Sequence, residues 1–266
     1  QELECRLFDR IGHSVHLTEA GHTLLPKAKQ IVAQVEDSRR EIHNLSGEVC
    51  GVLSLGTSHH IGLHHLPAIL KSYTRKFPRV ELDLHFMESE AICEAVLNGK
   101  LEIGIATLPN DPPKGLITTL IWDDPLQFVC GHDYPLANSH SVTISELAQH
   151  PAILPPKESA TNKILATLFE QQGHQLKTSI ATNNLETIKM MVAIDLGWSL
   201  LPQSMLSKSI INLVVNKTQL QRKLGVVRNL NRSLSNAGAR LLELLETEGS
   251  PLEETNGRQK NEIQQS

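Results

Sequence analysis

The sequence predicts an α/β protein: a long helix feeding two Rossmann-like α/β lobes that the chain joins by crossing between them twice. Three observations carry this. After Gly51, short apolar runs alternate with helical stretches, the pattern of repeated βαβ units. Pro109–Pro113 breaks that alternation, and a second run of it follows. Ahead of both, residues 24–45 hold an apolar seam at spacings of three and four.

Taken in order, Leu3, Leu7 and Phe8 share a helical face, so a helix is expected to end near Arg10. Ile11–Ser14 reads as a turn and Val15–Leu17 as a strand, before Thr18-Glu19-Ala20-Gly21 caps a new helix. That helix is expected over 18–46, closed by Ser46-Gly47. Leu24, Ala28, Ile31, Val35, Ser38, Ile42 and Leu45 recur at 4, 3, 4, 3, 4, 3, with only Ser38 polar. So narrow a seam wants a second copy of itself, whereas a helix lying on its own domain shows a broader stripe. A homodimer or homotetramer is therefore expected. Pro26 removes a bond to His22 and should kink the first turns.

Val52–Gly56, Val80–Phe86 and Leu101–Ala106 read as strands of a parallel sheet, with helices over His60–Lys76 and Glu88–Asn98. Leu116–Trp122 and Leu126–Gly131 then cross into a second lobe. That lobe is expected to hold helices at Ile144–Gln149, Thr161–Gln172 and Leu185–Ile194, and strands at Ala152–Leu154, Leu176–Ala181 and Gly197–Leu201. Leu213–Val215 and Leu224–Val227 return, and Asn236–Glu246 closes the first lobe. The expected unit is 50–246, its first lobe about 50–107 and 223–246, its second about 123–218. Beyond Thr247 only Leu252 and Ile263 are aliphatic, so 247–266 is expected to be a disordered tail.

Composition narrows the classes. With 266 residues, 40% apolar and 20% charged, the chain has a globular profile. No 18-residue apolar run and no signal peptide occurs, so no membrane partner is expected and the cytoplasm is the expected compartment. Cys5, Cys50, Cys93 and Cys130, spaced 45, 43 and 37 apart, match no zinc motif and read as reduced, mostly buried thiols. A net charge of -4 is no nucleic-acid signature, so a DNA role must rest on motif. The chain begins at Gln1 instead of Met and is expected to be part of a longer or processed one.

The stretch with most chemistry is Leu53–Pro67. A strand ending at Gly56 meets a helix opening at His59 or His60, and Thr57-Ser58 offers a capping hydroxyl. Unpaired N–H groups and the helix dipole there favour a small anion or polar headgroup; an ordinary capped turn is the plainer alternative. His60 and His64, four apart, with His59, His65 and His85, raise a metal sensor as an alternative. Histidines near a helix start more often cap or pack, so no metal and no cofactor is expected. No G-x-S-x-G, H-E-x-x-H, P-loop or dinucleotide fingerprint occurs, and Asp111 and Asp123-Asp124 read as turn formers; the chain is not expected to be an enzyme.

The string LFDRIGHSVHLTEAG, residues 7–21, resembles the amino-terminal domain of LysR-type transcriptional regulators in its LF-x-R and LT-x-AG elements. The resemblance continues through Leu66-Pro67, Phe77-Pro78, residues 99–105, Tyr134-Pro135-Leu136-Ala137 and residues 197–202, and so spans 1 to about 246. It implies that 1–17 are the end of the recognition helix and the wing of an incomplete winged helix-turn-helix, that 18–46 is the linker and dimerisation helix, and that the lobes are a type 2 periplasmic-binding-protein fold binding an effector. Arg10, His13 and Ser14 would then lie near DNA phosphates, although Arg10 can equally pair with Asp9 or Glu19. Residues 1–46 hold six Lys/Arg against seven Asp/Glu, so this piece alone is expected to bind DNA poorly. Leu24, Ala28, Ile31, Val35, Ile42 and Leu45 would form the dimer seam.

By geometry and resemblance together the effector residues are Thr57, Ser58, His59 and His60, Thr107, Ser159, Thr161, and Asn183 or Asn184. Hydroxyls and amides suit a small polar or anionic effector, with His59 or His60 adding charge below about pH 6.5. No arginine is in the set, so no bidentate carboxylate clamp is expected. The histidine-rich helix start departs from the family. The expected function is effector-controlled DNA binding; a stand-alone solute-binding protein of the same fold is the alternative.

Overall fold

The computed structural model describes residues 5–12, 14–215 and 218–249. It opens with an antiparallel hairpin of β1 (Phe8–Ile11) and β2 (Ser14–Leu17). The helix expected to end near Arg10 is a strand instead from Phe8. Three apolar positions give a helix little to pack on, whereas pairing Phe8 with Leu17 satisfies the backbone. Leu3 and His13 lie outside the described residues; Arg10 and Ser14 are exposed.

Thr18 accepts the Gly21 N–H at 3.0 Å and starts α1 (Glu19–Asn44), which runs through Pro26 without a break. The helix carries two stripes. Ile31, Val35, Ile42 and Leu45 are exposed along the apolar seam, with Leu24 and Ala28 half-buried. A second stripe docks onto the body: Asp37 accepts from Arg232 at 2.7 Å, Arg40 donates to the Ser233 carbonyl, and Asn44 to that of Leu234.

The first lobe is built on β3 (Gly51–Thr57), parallel to both β4 (Val80–Phe86) and β5 (Ile103–Thr107). The helix expected over His60–Lys76 is two, α2 (His59–His64) and α3 (Pro67–Lys76). Pro67 has no N–H to continue the ladder and takes the first position of the new helix. After α4 (Ser89–Leu97), Gly99 turns the chain with φ +70°, a conformation that a Cβ would strain.

The crossing is made by two long strands. β6 (Leu116–Cys130) runs unbroken through Asp123-Asp124-Pro125, and β11 (Leu220–Asn229) lies antiparallel along it. The turn expected at Asp123-Asp124 is therefore strand, because its residues have ladder partners on β11. The sheet order is β10-β6-β11-β5-β3-β4, where β10 is Ile211–Leu213, and β9 (Ser199–Pro202) also pairs with β6. In the second lobe β7 (Ala152–Leu154) and β8 (Thr178–Ala181) form a parallel pair, with α5 (Ile144–Gln149), α6 (Ala160–Gln171) and α7 (Leu185–Ala193) around them. Its core gathers Phe128, Phe169, Leu200 and the fully buried Trp198.

Finally α8 (Asn236–Glu248) returns to the first lobe, where Leu241 and Leu245 pack with Leu53 and Ile69, and the Tyr73 hydroxyl donates to the Ala237 carbonyl at 2.7 Å. Thr247 and Glu248, expected in a disordered tail, are helical; 250–266 lie outside the described residues. Cys93 and Cys130 are buried as expected, but Cys5 is exposed and Cys50 half-buried.

Candidate functional site

The chain folds so that loops after β3, β4, β5 and β7 face one another where the lobes meet. This is the carboxyl edge of the parallel strands, where α/β proteins bind ligands. The first lobe contributes Ser58, His59 and His60 at the start of α2, Glu88, Ser89 and Glu90 at the start of α4, and Thr107 at the end of β5. From the second lobe come Pro155, Ser159, Ala160 and Thr161 at the start of α6, and Asn183 and Leu185 before and within α7. Arg222 of β11 completes the lining. The cleft volume is about 70 Å³, room for about five waters.

Several hydroxyls are already engaged. Ser58 accepts the Ile61 N–H at 3.4 Å and Ser159 that of Asn162 at 3.2 Å, each capping its helix. Ser89 accepts the Thr107 N–H at 3.1 Å, which ties the α4 start to the end of β5. Thr161 accepts from Arg222 Nη1 at 3.1 Å. The same guanidinium donates to Asp124 Oδ2 through Nε at 3.0 Å and through Nη2. Both partners are buried, so the pair is held in a low-dielectric setting where its geometry is rigid.

His60 sits beside this pair, 7% exposed, with Nε2 3.9 Å from Asp124 Oδ2 and neither ring nitrogen hydrogen-bonded. Burial, and then the Arg222 charge, push its pKa down to about 3. The charge expected of His60 below about pH 6.5 is therefore not supplied. Burial also lowers the pKa of His65, against the pull of Asp124, and its ring lies 4.9 Å from that of Trp122. His59 is exposed and stacks on Phe86 at 5.3 Å. Burial, then the Glu90 charge, raise Glu88. His64 Nε2 meets Glu186 Oε1 of the second lobe at 3.2 Å.

Of the residues named from the sequence, Ser58, His59, His60, Thr107, Ser159, Thr161 and Asn183 line the cleft. Thr57 does not; it is fully buried at the end of β3 and its hydroxyl donates to the Ser58 carbonyl. Asn184 does not line it either, since it caps α7 by accepting the Thr187 N–H at 2.9 Å. No arginine is expected here from the sequence, yet Arg222 is present. Glu88, Ser89 and Glu90 are not among the expected residues either, though the strand-to-helix turn logic of β3–α2 applies equally to the β4–α4 turn.

Residues 46–250 match the family model described as LysR substrate binding domain. The chain belongs to the LysR family of transcriptional regulators. It is 27% identical over 249 residues to a probable RuBisCO transcriptional regulator of Cyanidium caldarium, covering 89% of this chain and 78% of the relative. The Synechocystis PCC6803 CcmR regulatory domain, solved in complex with 2-PG, superposes with a TM-score of 0.68 at 22% identity, covering 76% of this chain and 99% of that one. The QuiR effector binding domain, solved with shikimate, gives 0.69 at 19%, covering 75% and 97%. The LysR regulator shares with them the two-lobed, type 2 periplasmic-binding-protein-like fold.

Proposed function

We propose that this LysR-family chain is a cytoplasmic regulator, not an enzyme, whose interlobe cleft takes a small polar or anionic effector. One observation carries the reading: seven residues named for the effector from both halves of the sequence line a single cleft. The start of α6 and Arg222 favour an acidic group, while Glu88 and Glu90 suit hydroxyl donors on the same molecule. An effector touching Ser58 and Thr107 on one side and Ser159 and Asn183 on the other biases the angle between lobes about β6 and β11. Because α1 is docked on the first lobe through Asp37 and Arg232, that change is carried toward the β1–β2 hairpin. Arg10 and Ser14 of that hairpin, together with His13 of the sequence, are assigned to DNA phosphates, and the exposed seam of α1 to pairing with a second copy. Among the described residues no helix is long and apolar enough to cross a membrane.

The neighbours solved with shikimate and 2-PG make those compounds the first probes. A rise in melting temperature with either, reduced in Ser58→Ala and in Ser159→Ala, supports the assignment. An affinity unchanged in both variants contradicts it.

A further inference from the structure

The abrupt stop of α2 has a chemical result. His60 points inward from its first turn, and the chain leaves the helix at His65, its C-cap. Residues five apart, which diverge on a continuous helix, are thereby brought to one place. The ring of His64 is also close to that of His60, at 4.9 Å, but its Nε2 is taken by Glu186 Oε1 of the second lobe. The converging third group is Asp124 of β6. One ligand atom from each of His60, His65 and Asp124 lies within 4.8 Å of the others. His60 Nδ1 and Nε2 and His65 Nε2 are all buried with no hydrogen-bond partner. A buried nitrogen without a partner is costly, and one ion can serve one nitrogen of His60 together with His65 Nε2.

We propose that His60, His65 and Asp124 bind a divalent transition-metal ion of the zinc, cobalt and nickel class. Two imidazoles and one carboxylate suit these ions, whereas calcium and magnesium prefer oxygen alone. Three protein donors leave a position open to water or to a ligand in the cleft. Metal–nitrogen bonds of about 2.0–2.1 Å put tetrahedral donors about 3.3 Å apart, so the 3.9 Å between His60 Nε2 and Asp124 Oδ2 has to shorten by about 0.6 Å. Asp124 Oδ2 also accepts from Arg222 and would be shared between the guanidinium and the ion. Arg222 itself opposes a cation, which sets the affinity below that of an all-anionic site. This assignment is independent of the effector reading, because it needs no effector.

The test is titration of the full chain with Co²⁺, followed by visible d–d absorption and by fluorescence. Trp122, whose ring contacts His65, reports the site by quenching. The expected result is saturable 1:1 binding, weakened about tenfold or more by His60→Gln and by His65→Gln. Trp122→Phe removes most of the quenching and leaves the absorption bands, a readout that does not depend on the fold of the ligand variants. His85→Gln, at an exposed pair with Asp83, changes nothing. Absence of saturable binding, binding that survives both ligand variants, or binding lost in His85→Gln overturns the proposal. In each of those cases shikimate or 2-PG titrated into chelator-treated chain still tests the effector reading separately.

Discussion

Arg222 and Asp124 stand directly opposite each other on the two strands that cross between the lobes, both buried and joined through two guanidinium nitrogens. The pair lies on the strands that join the lobes, and Arg222 lines the cleft. Thr161 extends it, so one guanidinium links β6, β11 and the start of α6.

Breaking that pair from one side leaves a buried charge without its partner. Asp124→Ala should lower stability by about 3–5 kcal/mol, while Asp124→Leu combined with Arg222→Met should recover most of it. Urea denaturation midpoints of the single and double variants check this. A double variant as unstable as the single one would mean that the loss has another cause.

This pair also shows where the sequence was legible and where it was not. The elements of both lobes follow from apolar alternation and from Pro and Gly stops, and most of the cleft follows from hydroxyls at strand ends. Arg222 was missed because it lies two residues ahead of the strand expected at Leu224–Val227. Its placement two residues before Leu224 on the inward face of β11 could have signalled burial, since positions 222, 224 and 226 share that face. Asp124 was missed because an Asp-Asp-Pro run is ordinarily a turn; only its ladder partners on β11 make it strand. The cluster of His60 with His65 depends on where α2 stops, and helical spacing pointed to His64 instead.

The seam of α1 predicts assembly. Ile31, Val35 and Ile42 are 60%, 47% and 70% exposed in the single chain. The chain should be at least dimeric at micromolar concentration, and Ile31→Asp should shift it toward monomer. Sedimentation velocity of both proteins decides this; a wild-type 29.4 kDa species at that concentration contradicts it.

Thiol reactivity should divide the cysteines. Burial pushes Cys130 up to about 11 and raises Cys93, so at pH 8 little thiolate exists at either. A thiol reagent such as DTNB should label Cys5 and Cys50 rapidly, and the other two only on unfolding or as pH rises toward 11. Rapid labelling of all four in the folded chain would disprove the burial argument.

The helix cap at Ser58 and its proposed contact with the effector are separable by experiment. Its 3.4 Å cap is long, so Ser58→Ala should cost only about 0.5 kcal/mol, the low end for a lost cap. Thermal melts without ligand measure that term alone; a loss of several kcal/mol would assign Ser58 a structural role and leave the effector argument to the opposite lobe.

Whether one small molecule is held by both lobes at once is decided by calorimetry. A panel of small carboxylates and phosphate esters is screened by melting temperature, and any hit is titrated into wild type, Ser58→Ala and Ser159→Ala. Each variant should lose about 1 kcal/mol of binding, roughly fivefold in Kd, because the two hydroxyls face the same cleft from opposite lobes. Equal affinity in all three proteins would place the effector outside this cleft.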